Sequence, residues 1–236
     1  MAEVYPNANE AAARHVDTKK ALEEADGNVD KAVEILRLKG AKGNAKRADR
    51  STSEGLVAAR ELPGQVTIIE LACETDFVAK NDRFIALADK VADAAAAVGA
   101  ENAEAALAAA AGSGTIEDLI NDEAAIIGEK VELRRVRTLK GEHFAVYLHK
   151  TSKDLPPQIG VVVAYSGDDA ETARSIAQHI SFANPSYLSR EDVPAAEVDK
   201  ERDIVTAISR EEGKPEQALP KIIEGRVNGF FKDVVL

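Results

Sequence analysis

The sequence predicts an α+β protein. Antiparallel strand pairs carry amphipathic helices, with a small helical module in front and a helical hairpin behind. Three observations point to this. Residues 55–60 and 66–73 flank a Leu62-Pro63-Gly64-Gln65 turn, which reads as a β-hairpin. Residues 143–149 alternate at the two-residue period of a strand, with Phe144, Val146 and Leu148 as the core stripe on one face and His143, Ala145, Tyr147 and His149 on the other. Residues 81–98 repeat Phe84, Leu87, Ala88, Val91 and Ala95 along one helical stripe.

Taken in order, residues 1–16 are weakly patterned. Asp17 can cap a helix over 18–25, and Asp26-Gly27-Asn28 is a turn whose Asn28 can cap the next helix. That helix sets Val29, Ala32, Val33 and Leu36 on one face, and Gly40 stands where a helix-ending glycine belongs. Residues 41–54, with Lys42, Lys46, Arg47 and Arg50, read as a basic, solvated linker that can be helical in part. The 55–73 hairpin then leads through Glu74-Thr75-Asp76-Phe77-Val78-Ala79-Lys80-Asn81 into the 81–98 helix, so this run is a strand-to-helix corner. Residues 105–111 form an Ala-rich helix that covers a surface, broken by Gly112-Ser113-Gly114. Thr115 caps a helix over 116–127, Gly128 ends it, and 130–139 returns as a strand. This completes a first core lobe, 55–139.

A second lobe, 140–236, begins with the 143–149 strand. The unbroken apolar run 159–165 reads as a strand buried on both faces, and a helix over 170–182 stops at Asn184-Pro185. Residues 197–212 form a charged helix. The last helix carries Ile223, Val227, Phe230, Phe231 and Val234 on one face, so the region of about 195–235 is a helical hairpin. The apolar ending Val234-Val235-Leu236 reads as if a further segment should follow.

Composition narrows the function. The chain has 236 residues, 45% apolar and 30% charged, as a soluble globular protein does. A net charge of −11 disfavours nucleic acid or an anionic membrane as partner, since both reward basic surface. There is no apolar run long enough to span a bilayer, and the N-terminus lacks the basic and apolar regions of a signal peptide. The single cysteine, Cys73, fits a reducing cytoplasm.

No catalytic constellation assembles. Cys73 invites a nucleophile reading with His149 and Asp76, but a lone cysteine without a local signature is usually a small buried hydrophobe. His143 and His149 lie on one strand face about 20 Å apart, too far to share a metal. Phosphate-binding and dinucleotide-binding glycine motifs are missing. The expectation is a binding module with no cofactor, no metal and no small-molecule substrate of its own. Its sharpest feature is Asp76-Phe77. An aromatic at such a corner either tucks into the core, the commoner fate, or projects into a partner's pocket.

Several stretches resemble bacterial elongation factor Ts. They are Lys19-Lys20-Ala21-Leu22 with Asn28-Val29-Asp30-Lys31-Ala32-Val33-Glu34, Cys73-Glu74-Thr75-Asp76-Phe77-Val78-Ala79-Lys80-Asn81, Ile127-Gly128-Glu129, Tyr147-Leu148-His149 and Pro157-Gln158-Ile159-Gly160-Val161. Tyr187-Leu188-Ser189-Arg190 and Glu224-Gly225-Arg226 with Gly229-Phe230-Phe231 follow. The resemblance runs from about Asp17 to Leu236, and the Thr-Asp-Phe-Val-Ala-Lys-Asn run is very specific to the family.

The resemblance implies a ubiquitin-associated-like helical module over 1–40, the 41–54 linker, the two-lobed core and the helical hairpin. It implies a non-enzymatic guanine-nucleotide exchange factor for elongation factor Tu in the cytoplasm. Asp76 and Phe77 would enter Tu's G domain and displace groups that hold Mg²⁺ and the nucleotide phosphates. GDP would leave and GTP enter. Thr75, Val78, Lys80 and Asn81 around them, Ile127, Gly128, His149 and Lys19 match further contact positions. The sequence departs from the family at both ends. Glu10-Ala11-Ala12-Ala13-Arg14-His15-Val16 replaces the family's Gly- and Met-containing run, so the first helix is expected to be altered or missing. The end at Leu236 is expected to lack a segment that adds a strand to the core, leaving a sheet edge unpaired.

Overall fold

The computed structural model describes residues 19–236. The capping role of Asp17 and the expectations for the first 16 residues lie outside this range. Residues 19–24 are helical, and a turn at Asp26 and Gly27, both at positive φ, leads to Asn28. The Asn28 side chain accepts from Lys31 N at 3.1 Å and starts helix α1, Val29–Arg47. Ala21, Ala25 and Ala32 are buried together, with Leu22, Ile35 and Leu36 against them. Val29, expected on this inner face, is 66% exposed. The short segment facing α1 packs Ala21, Leu22 and Ala25 on the face that carries Ala32, Ile35 and Leu36 and leaves the helix start uncovered.

Helix α1 also corrects the reading of Gly40 and takes in the first part of the linker. It runs through Gly40 to Arg47, with Ala48 as its cap. The glycine serves a close approach instead. A Cβ there would lie 2.8 Å from Ala125 Cβ, on a helix of the first lobe. Further polar ties hold this supposed connector down. Asn44 Nδ2 donates to Asn121 O at 2.9 Å, and Lys130 Nζ donates to Ala48 O and Arg50 O at 2.8 and 3.1 Å.

The first lobe is a three-stranded antiparallel sheet in the order β1-β2-β5, formed by β1 (Glu54–Leu62), β2 (Gln65–Cys73) and β5 (Glu132–Lys140). Leu62 pairs with Gln65, leaving Pro63-Gly64 as a two-residue turn with Gly64 at φ 77°. Glycine is the residue that tolerates this conformation after a proline. After the corner comes helix α3, Asp82–Ala97, which packs on β1 and β2 with its predicted stripe of Phe84, Leu87, Ala88, Val91 and Ala95 buried. These join Leu56, Ile69, Leu71, Ile116 and Val136 in the main core.

The Ala-rich stretch is helical only as α4, Ala103–Leu107, and its Ala106 is buried. Residues beyond it form a small hairpin, β3 (Ala110–Ala111) and β4 (Gly114–Thr115), around Gly112-Ser113. The hairpin delivers Thr115 as the cap of α5, Ile116–Ile127. Thr115 Oγ1 accepts from Asp118 N at 3.1 Å, while Asp118 Oδ2 accepts from Thr115 N at 2.9 Å. Alanine's helix propensity loses here to that reciprocal cap and to the turn glycines.

In the second lobe, β6 (His143–His149) and β7 (Ile159–Tyr165) pair antiparallel, and α6 (Ala170–Ala183) packs on both. Burial differs from expectation. Ala145 is the buried residue of β6, on the face opposite Phe144, Val146 and Leu148, and Leu148 is 36% exposed. No residue of β7 is fully buried. A sheet of two strands has open edges, so an apolar run in it is covered only in part. Gly160, paired with Leu148, lets the two lobes meet: a Cβ there would lie 2.5 Å from Val57 Cγ1 and 2.7 Å from Ile68 Cδ1.

Helices α7 (Ala195–Glu211) and α8 (Leu219–Val234) form the hairpin around buried Val205, Ser209, Leu219 and Val227. Arg226 reaches Glu212 at 2.6 Å. Beyond α8, Val235 bridges to Tyr187 and Leu236 N donates to Tyr187 O at 3.0 Å, so the last residues of this chain are fastened.

A Gly40→Ala substitution tests the α1–α5 contact by its sign. On an open helix this change stabilises by about 1 kcal/mol. Here the added methyl meets a Cβ fixed to backbone, so we expect destabilisation of about 1–3 kcal/mol in urea unfolding. A gain in stability would rule out the close approach.

Candidate protein-binding corner

The corner is more structured than a strand-to-helix link. Between β2 and α3 it forms a single helical turn, α2, Asp76–Ala79. Thr75 is extended at φ −127° and caps the turn by accepting from Val78 N at 3.4 Å. Asp76 stands at the first helical position, where a carboxylate is favoured by the exposed amide ends. Ala79 is buried and Val78 packs against the main core. Those two residues face inward and turn Phe77 outward, where it is 72% exposed. The core fate weighed for Phe77 is therefore not the one realised.

Lys80 folds back over the tip. Its Nζ lies 3.3 Å from Asp76 Oδ2 and 4.5 Å from the Phe77 ring centroid. Both contacts are exposed and contribute modestly, on the order of 1 kcal/mol or less each. Asn81 is occupied by the fold: its Oδ1 accepts from Arg83 N at 2.9 Å and caps α3.

The corner is clasped from the side by the end of α5. Gly128 adopts the left-handed conformation at φ 86° and terminates that helix. The next residue, Glu129, then accepts three hydrogen bonds. Its Oε2 receives Glu74 N and Thr75 N, each at 3.1 Å, and its Oε1 receives the Thr75 hydroxyl at 2.7 Å. Glu74 answers in kind, accepting from Lys130 N at 2.6 Å and pairing with Arg50 at 3.2 Å.

Of the residues singled out from sequence, Thr75, Asp76, Phe77, Val78, Lys80 and Asn81 are contiguous here. Ile127 and Gly128 adjoin them through Glu129, with Ile127 packed against the core and Gly128 exposed. His149 lies on the second sheet, half-buried, with Nδ1 3.0 Å from the Tyr147 hydroxyl. Lys19 is exposed on the N-terminal helical segment, 3.9 Å from Glu23. Neither hydrogen-bonds to the corner among the described residues. Sequence reasoning missed Glu74 and Glu129 as structural partners. Their one signal is an acidic residue just after a helix-ending glycine, which looks the same as any surface charge.

Cys73 is fully buried at the end of β2, and its Sγ donates to Thr75 O at 3.3 Å. Burial first, and the Glu129 carboxylate second, push its thiol up to about 12. Such a thiol stays protonated at neutral pH and is no nucleophile. Among the described residues no cluster of three metal-ligating side chains occurs, and no helix is long and apolar enough to cross a membrane.

Because thiolate forms only near that raised value, iodoacetamide at pH 8 should label native Cys73 about 10³-fold more slowly than the urea-unfolded chain. Folded and unfolded rates within tenfold of each other would show that the thiol is accessible and ordinary.

Comparison with known proteins assigns the chain. A family model described as Elongation factor TS matches residues 74–236. An elongation factor Ts of Leifsonia xyli is 72% identical over 222 residues, covering 94% of this chain and 80% of that protein. The elongation factor Ts of Beutenbergia cavernae is 57% identical, covering 94% of this chain and 81% of its own. That of Tropheryma whipplei is 53% identical, covering 94% and 80%. The model match begins at Glu74, the first residue of the clasped corner, and continues to the last residue of the chain. On these matches, the chain belongs to the elongation factor Ts family.

Proposed function

We propose that this chain is a guanine-nucleotide exchange factor that binds elongation factor Tu carrying GDP and promotes release of that GDP. Asp76 and Phe77 enter Tu's G domain and displace groups that hold Mg²⁺ and the nucleotide phosphates; GTP then loads. One observation carries the reading: Phe77 stands 72% exposed at the tip of a turn whose two ends are capped. Burying a phenylalanine side chain yields roughly 1.5–3 kcal/mol. Leaving it in water on a well-held turn makes sense if a partner supplies the pocket, as aromatic anchors at protein interfaces do.

The mechanism is linkage. A protein that prefers nucleotide-free Tu weakens GDP binding by the same factor that GDP weakens its own binding. No catalytic group is needed, and the factor makes and breaks no covalent bond. Thr75, Val78, Lys80 and Asn81 within the corner, Gly128 and Ile127 beside it, and His149 and Lys19 farther out, are the remaining contact candidates. The partner is a protein, with no cofactor or nucleic acid bound directly, and the place of action is the cytoplasm, where translation elongation proceeds.

The assay is release of a fluorescent GDP analogue from preloaded Tu. Phe77→Ala should reduce the stimulated rate by about 10- to 100-fold, the scale of a lost interface anchor. Its thermal midpoint should stay near that of the parent, because the ring packs on little else. Stimulation equal to the parent's would end the wedge reading.

A further inference from the structure

The four residues of α2 are too few to hold a helical shape or direction by themselves, since a single turn is an unfavourable nucleus. Something outside the turn must aim it. Beside the packing of Val78 and Ala79 on the core, three polar ties bear on it. Lys80 touches both Asp76 and Phe77, but its contacts are solvent-exposed and therefore weak. Asn81 fixes the exit by capping α3. At the entry, Glu129 supplies three hydrogen bonds that all end on the two residues immediately before Asp76, and among the hydrogen bonds there it is the acceptor for both of their amides.

We propose that Glu129 is a positioning residue for the exchange wedge: its carboxylate sets the Glu74-Thr75 backbone and thereby aims Asp76-Phe77. The inference rests on the exchange reading above. The route is continuous. Gly128 in the left-handed conformation turns the chain out of α5 and presents Glu129 to the corner. Thr75 Oγ1 donates its hydroxyl hydrogen bond to Glu129 Oε1, which leaves a lone pair of Oγ1 to accept from Val78 N, the cap bond of the turn. Glu129 Oε2 takes two adjacent amides that would otherwise have no partner at the strand end. The reciprocal bond from Lys130 N to Glu74 prevents the two segments from sliding past each other. A carboxylate suits this task because it only accepts, and it can accept several bonds at once.

The test has two arms, on the full chain. In amide hydrogen exchange, Glu129→Ala should speed exchange at Glu74 and Thr75 by about tenfold or more, while the β1–β2 hairpin amides keep the parent's rates. In the GDP-release assay, Glu129→Ala should lower the maximal stimulated rate at saturating factor by about tenfold. Added to Phe77→Ala, it should cost less than about twofold more, because a mis-aimed wedge and a missing wedge fail in the same way. Glu129→Gln keeps one accepting oxygen, so it should fall between parent and alanine in both arms, and it stands in should the alanine variant fail to fold. Unchanged exchange at Glu74 and Thr75 would overturn the clasp. Fully additive losses in the double variant would overturn its action through Phe77. A Phe77→Ala protein as active as the parent would sink the wedge reading instead, and the clasp would then be decided by the amide-exchange arm.

Discussion

Two carboxylates, each binding backbone amides of the other's segment, join the end of β2 to the start of β5. Glu129 holds residues 74 and 75, and Glu74 holds residue 130. Most of the first lobe is arranged so that this exchange is possible. The antiparallel pairing of β2 and β5 brings the two segments to the same end of the sheet. Helix α5 stops at a glycine that can take positive φ, so the chain reverses in one residue. Cys73 and Ala79, buried on either side of the corner, anchor it to the core from below. An exposed aromatic can then project from a short turn without that turn wandering.

The interior was largely legible because its signals are periodic. The β1–β2 hairpin follows from a Pro-Gly turn between two apolar strands, and α3 from its stripe ending at Ala95. The Thr115–Gly128 helix follows from a cap at one end and a left-handed glycine at the other. Misread stretches share a different property: tertiary contact decided them. Gly40 has the composition of a helix stop, yet its missing side chain serves a crossing with α5 that no local pattern encodes. The Ala-rich run after residue 103 has high helix propensity, and a cap built further along bends it into a hairpin. On β6 the alternation was right and the buried face was not, because period alone does not say which side a neighbour covers.

The candidate site shows the same division. Residues 75–81 stood out as a corner from strand and helix signals alone, and their family likeness singled out Asp76 and Phe77. The outward direction of Phe77 follows from which neighbours are buried, Val78 and Ala79, and that is a property of the packed structure. Glu129 was invisible as a partner of the corner, since a hydrogen bond across 54 residues of sequence leaves no periodic trace.

The passage of α1 through Gly40 changes what the front of the molecule is. A tether would let the N-terminal helical segment drift, with its position relative to the core set by chain statistics. A continuous helix of 19 residues is instead a strut about 28 Å long. Its far end is clamped to α5 and to Lys130, next to the segment that holds the corner. The segment packed on the near end of that strut and the Phe77 tip are therefore both carried by elements docked on the first lobe. A partner touching both meets surfaces already spaced, and gives up little freedom in engaging the second after the first.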